Sequence, residues 1–554
     1  MTTKTFEHLS ITEVQFLPII KEYARRINLI ETVNRIVDTK MNTEPGIVVL
    51  AMVLDTLSGR SPLYRLSDFL EEKDTELLLG SKVQPEQLTD HTIGRVLDKI
   101  YEAGTHKLFS ELSLTAVQNF HINTDGAHFD TTSITVYGDY DFKDAPLNIT
   151  HGYSKDKRPD LKQFLVEMLC VDRDIPILGR TRDGNASDKT LNNELLGSIS
   201  SHMARHGLCE EAFVYVADSA FVTSENLKQA KVKFLSRLPA TYSECGRVIR
   251  EAVKQDKWEH IGVLVQTDTA EKRPAASYKA FDAKVTIDDI EYRALVVHSS
   301  AHDKRRHKRI DRQIQTGREK LEKDLKKIMA DAYYCEADAL AAAQKIEHLA
   351  QKTDCFLVET AIAGIPIYKR GRPRQGEERA PEKYEYRLEA RISEDEEKTR
   401  GLRYEAGCFV LLTNLSSETD RQKWSPERLL GLYKNQSGIE RNFGFLKDPV
   451  IVNSVFLKKP ERIEVLGMIL VIALLIWRLL ERSMREYLAK TDTTITGWVR
   501  RKTKKPTSFM MATKFISILI VKQENRWFFA KPLKPVQLDY LNALGVSPEA
   551  FVIP

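Results

Sequence analysis

Apolar residues recur at helical spacing through the first hundred positions. The stretches 17–37, 46–57 and 61–70 each predict an amphipathic helix. A fourth, 88–100, begins at Thr89 or Asp90, either of which suits an N-cap. Its polar positions His91, Thr92 and Arg95 would face DNA in a recognition helix and solvent in a scaffold helix. Near 121 the pattern changes to that of strands. Residues 127–137 are rich in β-branched and aromatic side chains and read as a strand. Asp130 interrupts it, and propensity disfavours a carboxylate there. A polar, basic loop at 151–160, able to meet a phosphate backbone, precedes a second strand at 162–171. Turn residues at 184–188 lead into a helix that starts at Ser187 or Asp188. Residues 213–217 form a short buried strand with Asp218 at its carboxyl end. Thr223 or Ser224 caps the next helix, and 233–238 is the following strand. Strand, aspartate, helix and strand in this order predict a buried parallel sheet, an α/β architecture with functional groups at the strands' carboxyl ends.

Further strands are expected at 261–266, 284–287, 292–298 and 408–413, with one or two long helices over 301–349. Ser425 and Pro426 open another helix. Residues 433–447, YKNQSGIERNFGFLK, read as one helix. Tyr433, Glu440 and Lys447 stand seven apart, drift only about 20° per heptad, and so share a face. Gln436, four residues before the glutamate, lies near that face. A tyrosine, a carboxylate and a lysine together are poor core packing and suit a metal ion beside a phosphate. Alone, the stretch equally fits an amphipathic helix with a solvated side. The thirteen apolar residues at 465–477 fall short of the ~20 a membrane span needs, so 465–480 is expected to be a buried helix. The last fifty residues read as helices plus a short strand near 527–529.

Composition changes the picture in one respect. A chain of 554 residues holds roughly three domains. Its 42% hydrophobic and 29% charged content is that of an ordinary globular protein. A net charge of +5, from 83 basic and 78 acidic residues, is mild, so placement matters more than total. Basic residues cluster at 303–309, including Arg305 and Arg306, and at 369–374, including Arg370 and Arg372. The second cluster's Arg-Gly-Arg-Pro core resembles an AT-hook, whose arginines enter the minor groove. A third run lies at 500–505. Two clusters within one region favour nucleic acid over a merely solvated surface. Six cysteines at 170, 209, 245, 335, 355 and 408 form neither a CxxC pair nor zinc spacing. With a polar N-terminus lacking a signal-peptide core, this gives an expected reducing, cytoplasmic setting and no membrane partner. The chain has no GxxxxGK[ST] phosphate loop.

Asp130, Asp218 and Glu440 stand out, 88 and 222 residues apart. Carboxylates are hard ligands that suit Mg²⁺ or Mn²⁺, and two such ions about 3.5–4 Å apart drive phosphodiester chemistry. With HFDTTS at 128–133, VADSAF at 216–221 and the 433–447 stretch, the chain resembles bacterial insertion-sequence transposases of the DDE type. The subgroup is the one marked Tyr-(2)-Arg-(3)-Glu-(6)-Lys, and this chain has Tyr433, Glu440 and Lys447 but Gln436 at the arginine position. The resemblance implies a ribonuclease H-like core at 119–240 and 426–490, a long β-rich insertion at 241–425, and a helical N-terminal domain at 1–118 that binds DNA ends. The remaining 491–554 would serve dimerisation or DNA contact. It further implies two Mg²⁺ (or Mn²⁺) ions on Asp130, Asp218 and Glu440, and phosphate contacts from Tyr433 and Lys447. Gln436 can hydrogen-bond phosphate without charge or a bidentate fork, and Arg441 would compensate. Relatives with a hairpin intermediate stack a flipped base on an insertion-domain tryptophan, for which Trp258 and Trp424 are both candidates. The implied partners are double-stranded DNA, at terminal inverted repeats and at the target, and a second copy in a homodimer, in a bacterial, nucleoid-associated setting. The implied reaction cleaves the element's ends and joins their 3′-OH groups to target DNA. A structure-selective nuclease on the same core, and a transposase-derived DNA-binding protein, are the alternatives. All three carboxylates being present speaks against the latter.

Overall fold

In the computed structural model the chain divides into two compact units, residues 1–235 with 430–554, and residues 236–429. The structure describes residues 9–59, 65–80, 83–142, 145–154, 158–205, 213–264, 275–368, 370, 381–448 and 457–554, except 352–354.

The first unit opens with β1 (Leu9–Glu13), α1 (Leu17–Arg26) and α2 (Leu29–Ile36). The single helix expected over 17–37 is two, because Asn28 takes the left-handed conformation (φ 53°) and ends the first. Next come α3 (Pro45–Leu57), α4 (Leu66–Glu71), α5 (Thr75–Leu79), α6 (Asp90–Ala103) and α7 (Thr105–Asn119). Thr89 caps α6 by accepting from the Thr92 N–H. The core follows: β2 (Gly126–Val136), β3 (Lys162–Val171), β4 (Ile175–Arg182), α8 (Asp188–Arg205), β5 (Val214–Ala217), α9 (Ser224–Gln229) and β6 (Phe234–Arg237).

These strands lie in the order β4-β3-β2-β5-β6. β2 is parallel to β5, but β3 is antiparallel to both β2 and β4, so the sheet is mixed rather than parallel. The reason is the connection between β3 and β4. Asp172 and Arg173 both have positive φ, the geometry of a tight hairpin turn, and a tight turn joins only antiparallel strands. The α8 crossover supplies the length that a parallel neighbour requires.

The second unit holds α10 (Ser243–Gln255), β7 (Glu259–Val263), β8 (Ser277–Ile287), β9 (Ile290–Ser299), α11 (Ser300–Met329) and α12 (Glu336–Gln351). It continues with β10 (Phe356–Ile367), β11 (Lys383–Glu394), α13 (Glu396–Ala406), β12 (Cys408–Thr413) and α14 (Glu418–Lys423). Strands β12-β9-β8-β7 are antiparallel neighbours in that order. The β10–β11 hairpin was not expected from the sequence. Its inner face packs Phe356 and Leu388 against Leu321, Leu325 and Ile346 of α11 and α12. Exposed Leu357 and Ile365 on the other face blur the apolar alternation that marks a strand.

The chain then enters α15 (Pro426–Lys434), α16 (Ser437–Leu446) and α17 (Pro460–Thr491). α17 is the hub of the first unit. It packs on β4 and on α1, α3, α6, α7 and α16. It starts before the expected 465, at Pro460, and its charged continuation runs to Thr491, where the left-handed conformation of Asp492 stops it. Length and composition would let it cross a membrane, yet its most apolar stretch is 94% buried inside the fold. Arg462 at its start grips Asp98 of α6 through two 2.7 Å hydrogen bonds and holds that carboxyl below its usual range. The guanidinium lies so close over Gly94 that a Cβ there would sit 2.6 Å from Nη1. One face of α6 is therefore scaffold, while His91 and Arg95 on it are exposed.

The chain closes with β13 (Ile495–Thr496), β14 (Lys502–Thr503), α18 (Ser508–Phe515), β15 (Leu519–Gln523), β16 (Arg526–Phe529) and α19 (Pro535–Leu544). β15 pairs with both β1 and β16, so the two ends of the described chain share a sheet. Buried Asp74 caps α5 through the Leu77 N–H and accepts from Trp527 Nε1 at 2.6 Å. Asp74→Ala leaves the indole N–H without a partner and is expected to cost about 1–3 kcal/mol, read as a lower urea midpoint.

Candidate active site

Two of the three singled-out carboxylates are set by the pairing of β2 with β5. That parallel register matches Gly126 with Val214 and His128 with Val216, an offset of 214 − 126 = 88. Asp130 and Asp218 differ by the same 88 (218 − 130). Continued two residues past the ladder, the register sets the two aspartates abreast at the carboxyl end of β5. Asp130 is half-buried and accepts from the Thr131 N–H at 2.7 Å. Asp218 is exposed and accepts from the Ala220 N–H at 3.1 Å, capping the short turn Ser219–Phe221. Tyr215 reports on both. Burial first, then the charges of Asp218 and Asp130, pushes its phenol above the ordinary range.

Glu440 is exposed on α16, which packs against β2 and α17. The expectation of one helix over 433–447 is corrected. α15 ends at Lys434 and α16 begins at Ser437. Across the break the amides of Gln436 and Gly438 bond three residues back, to Tyr433 and Asn435. Asn435, Ser437 and Gly438 are weak helix formers, and Gly438 is drawn onto a neighbour. Tyr433 therefore belongs to the preceding helix, Gln436 is the N-cap of α16, and Lys447 is its C-cap. The three are half-buried, and no common helical face joins them to Glu440.

At Gly438 a Cβ would stand 2.1 Å from the Arg173 carbonyl oxygen. Gly438→Ala must push α16 off the β3–β4 turn. A cost of about 1–3 kcal/mol is expected, seen as a lower thermal midpoint.

The remaining expected residues divide. Arg441 pairs with Asp174 at 3.0 Å, so part of its charge is already engaged inside the protein. Trp424 is 3% exposed, its carbonyl accepts from buried Arg293 at 2.9 Å, and Arg428 covers its ring. It is a core residue of the second unit and offers no open face to a base. Trp258 is half-buried among Phe281, His298 and Tyr404, with Lys279 5.1 Å over its ring. Arg305 and Arg306 lie on α11, but their side chains fall outside the described ones. Arg370 is exposed, and Arg372 lies outside the described residues.

Sequence reasoning missed a buried polar cluster behind Glu440. It comprises Asn442, Arg478 and Asp174. Burial pushes the Asp174 carboxyl up and also raises the Cys170 thiol beside it. The available signal was an asparagine inside an otherwise apolar helical turn and an arginine abutting a thirteen-residue apolar run.

Among the described residues, no three His, Cys, Asp or Glu side chains converge into a ready ligand cluster. The donor chemistry nevertheless fits a hard divalent cation: an aspartate on β2, a second just past the end of neighbouring β5, and a glutamate on the helix that packs on β2. Carboxylates of like charge repel one another unless a cation is shared between them.

Residues 125–476 match a family model described as a transposase DDE domain, and residues 9–114 match a domain of unknown function (DUF4277). No curated protein matches the chain.

Proposed function

The chain belongs to the transposase DDE domain family, a DNA-cleaving and DNA-binding class, and from this premise we propose a transposase that cuts and joins the ends of an insertion sequence. The observation that carries the reading is the shared 88-residue offset of the β2–β5 register and the two aspartates. The strand order β4-β3-β2-β5-β6, with the first strand central and a hairpin on one side, supports a ribonuclease H-like core. Residues 236–429 then correspond to an insertion between the second aspartate and the glutamate.

Asp130, Asp218 and Glu440 would hold two Mg²⁺ or Mn²⁺ ions, which activate the attacking oxygen and neutralise the leaving one. The protein's own part is placement. The strand register fixes the two aspartates relative to each other. Half-buried Tyr433, in the last turn of α15, and Lys447, the C-cap of α16, would hold the DNA backbone to either side of Glu440, in the manner of the Tyr-Arg-Glu-Lys subgroup. Gln436 at the helix N-cap adds a neutral hydrogen bond. Water attacks the phosphodiester at the element's end and a 3′-OH leaves. That 3′-OH then attacks a target phosphodiester, displacing a second 3′-OH. Exposed Arg370 and the basic start of α11 would contact DNA beyond the cut. Of the two tryptophans, half-buried Trp258 rather than buried Trp424 would be the one to stack an extruded base. A dimer that pairs two ends, and a bacterial origin, complete the proposal.

The test supplies pre-cut terminal-repeat DNA, a target plasmid and Mg²⁺. Joined products are expected. Cleavage of intact ends without joining would instead make the protein a nuclease, and neither reaction would leave a DNA-binding protein.

A further inference from the structure

Glu440 stands on a ten-residue helix that is broken from its predecessor. A helix that short has little stability of its own, so its orientation must come from outside. Three neighbours supply it. Asn442 is fully buried, and its Oδ1 accepts from Arg478 Nε at 2.7 Å. Its Nδ2 donates to the Asp174 carbonyl at 2.8 Å, against the sulfurs of Cys170 and Met168. Arg478 also donates through Nη2 to the Arg441 carbonyl at 3.1 Å, while Glu481 balances its charge at 2.8 Å. The clamp therefore seizes the two residues that follow Glu440, one by its backbone and one by its side chain.

The far side of the clamp is the strand system of Asp130. Met168 is the cross-strand partner of Asp130 in the β2–β3 ladder, and Asp174 lies just past the turn that ends β3. Asn442 thus ties the rotation and depth of α16 to the strands that carry the first aspartate. An apolar residue of the same size would fill the space but fix no register. Two buried hydrogen bonds in opposite directions admit one setting of the helix.

We infer that Asn442 and Arg478 are positioning residues that hold Glu440 in register with Asp130 for divalent-cation binding. This rests on the proposed role of the three carboxylates. It makes no contact claim on DNA and none on the reacting atoms.

The test compares Arg478→Lys, Asn442→Ala and the double replacement N442L/R478M with the parent. The double variant removes both buried polar partners while keeping apolar volume, so it guards against loss of folding. Mn²⁺ binding is followed by calorimetry, and end cleavage by the split between kcat and KM over a Mg²⁺ series. Expected are a Mn²⁺ affinity at least about tenfold weaker, a kcat lower by about 10–100-fold, and an unchanged KM for DNA. A folded double variant with parental Mn²⁺ affinity and kcat overturns the inference. E440Q is run beside it: if that variant cleaves like the parent, the carboxylate reading itself fails, and the positioning role fails with it. If E440Q is dead and N442L/R478M is normal, only the positioning role falls.

Discussion

Asp218→Asn is expected to abolish end cleavage, by about 10³-fold or more, while the protein remains folded and still retains DNA. Losing one anionic ligand of a two-ion site removes several kcal/mol of transition-state stabilisation, and about 4 kcal/mol is a thousandfold in rate. The fold should not notice. Asp218 is exposed, and the bond from the Ala220 N–H to its Oδ1 is one an asparagine can accept equally well. The same holds for Asp130→Asn, where the Thr131 N–H keeps its acceptor. Single-turnover cleavage, a thermal melt and a band-shift with end DNA separate the three quantities. Cleavage by the asparagine variant at the parental rate would remove Asp218 from the site. A melt lowered by many degrees would mean the residue is structural.

The largest stability effect is expected at Trp477. Its ring is buried on α17 and meets Phe16 before α1, Phe445 of α16 and Phe509 of α18, with centroids 6.1, 6.2 and 5.1 Å away. Its backbone carbonyl accepts from Ser508 Oγ at 2.7 Å. One side chain thus joins the N-terminal segment, the Glu440 helix and the C-terminal segment. Trp477→Ala removes that junction and should cost about 3–5 kcal/mol, lowering the melting midpoint by several degrees. Phe528→Ala is the control: its ring is 48% exposed, so a change within about 0.5 kcal/mol is expected. Equal effects at the two positions would show that α17 is not the hub. Loss of cleavage at temperatures where Trp477→Ala is still folded would trace the effect to α16 through Phe445.

Much of the core could be read along the chain. β3 spans the expected 162–171, because nearly every one of its residues is buried and the apolar runs on either side of Glu167 leave little choice. β5 ends directly before Asp218, as expected, and Thr89 caps α6. The misreadings share a cause. Heptad spacing made 433–447 a single helix, since spacing is a local rule and does not see the Arg173 carbonyl that draws in Gly438. The β10–β11 hairpin was missed because its outer face carries apolar residues in the open.

Trp424 and Trp258 looked interchangeable in sequence. Burial separated them: the first is a core residue whose backbone carbonyl accepts from Arg293, 131 residues away. The clamp on α16 is longer-range still. Asn442 lies 268 residues from Asp174 and 36 from Arg478, and no window of sequence holds the three together. The chain alone could single out Asp130 and Asp218, since a carboxylate in a strand or at a strand end asks for a reason, whereas Glu440 stood out only by its spacing from Tyr433 and Lys447. It could also count the 88 residues between the aspartates. That 88 is the register of two parallel strands is a property of hydrogen bonding between distant segments, and it exists only once the sheet has formed.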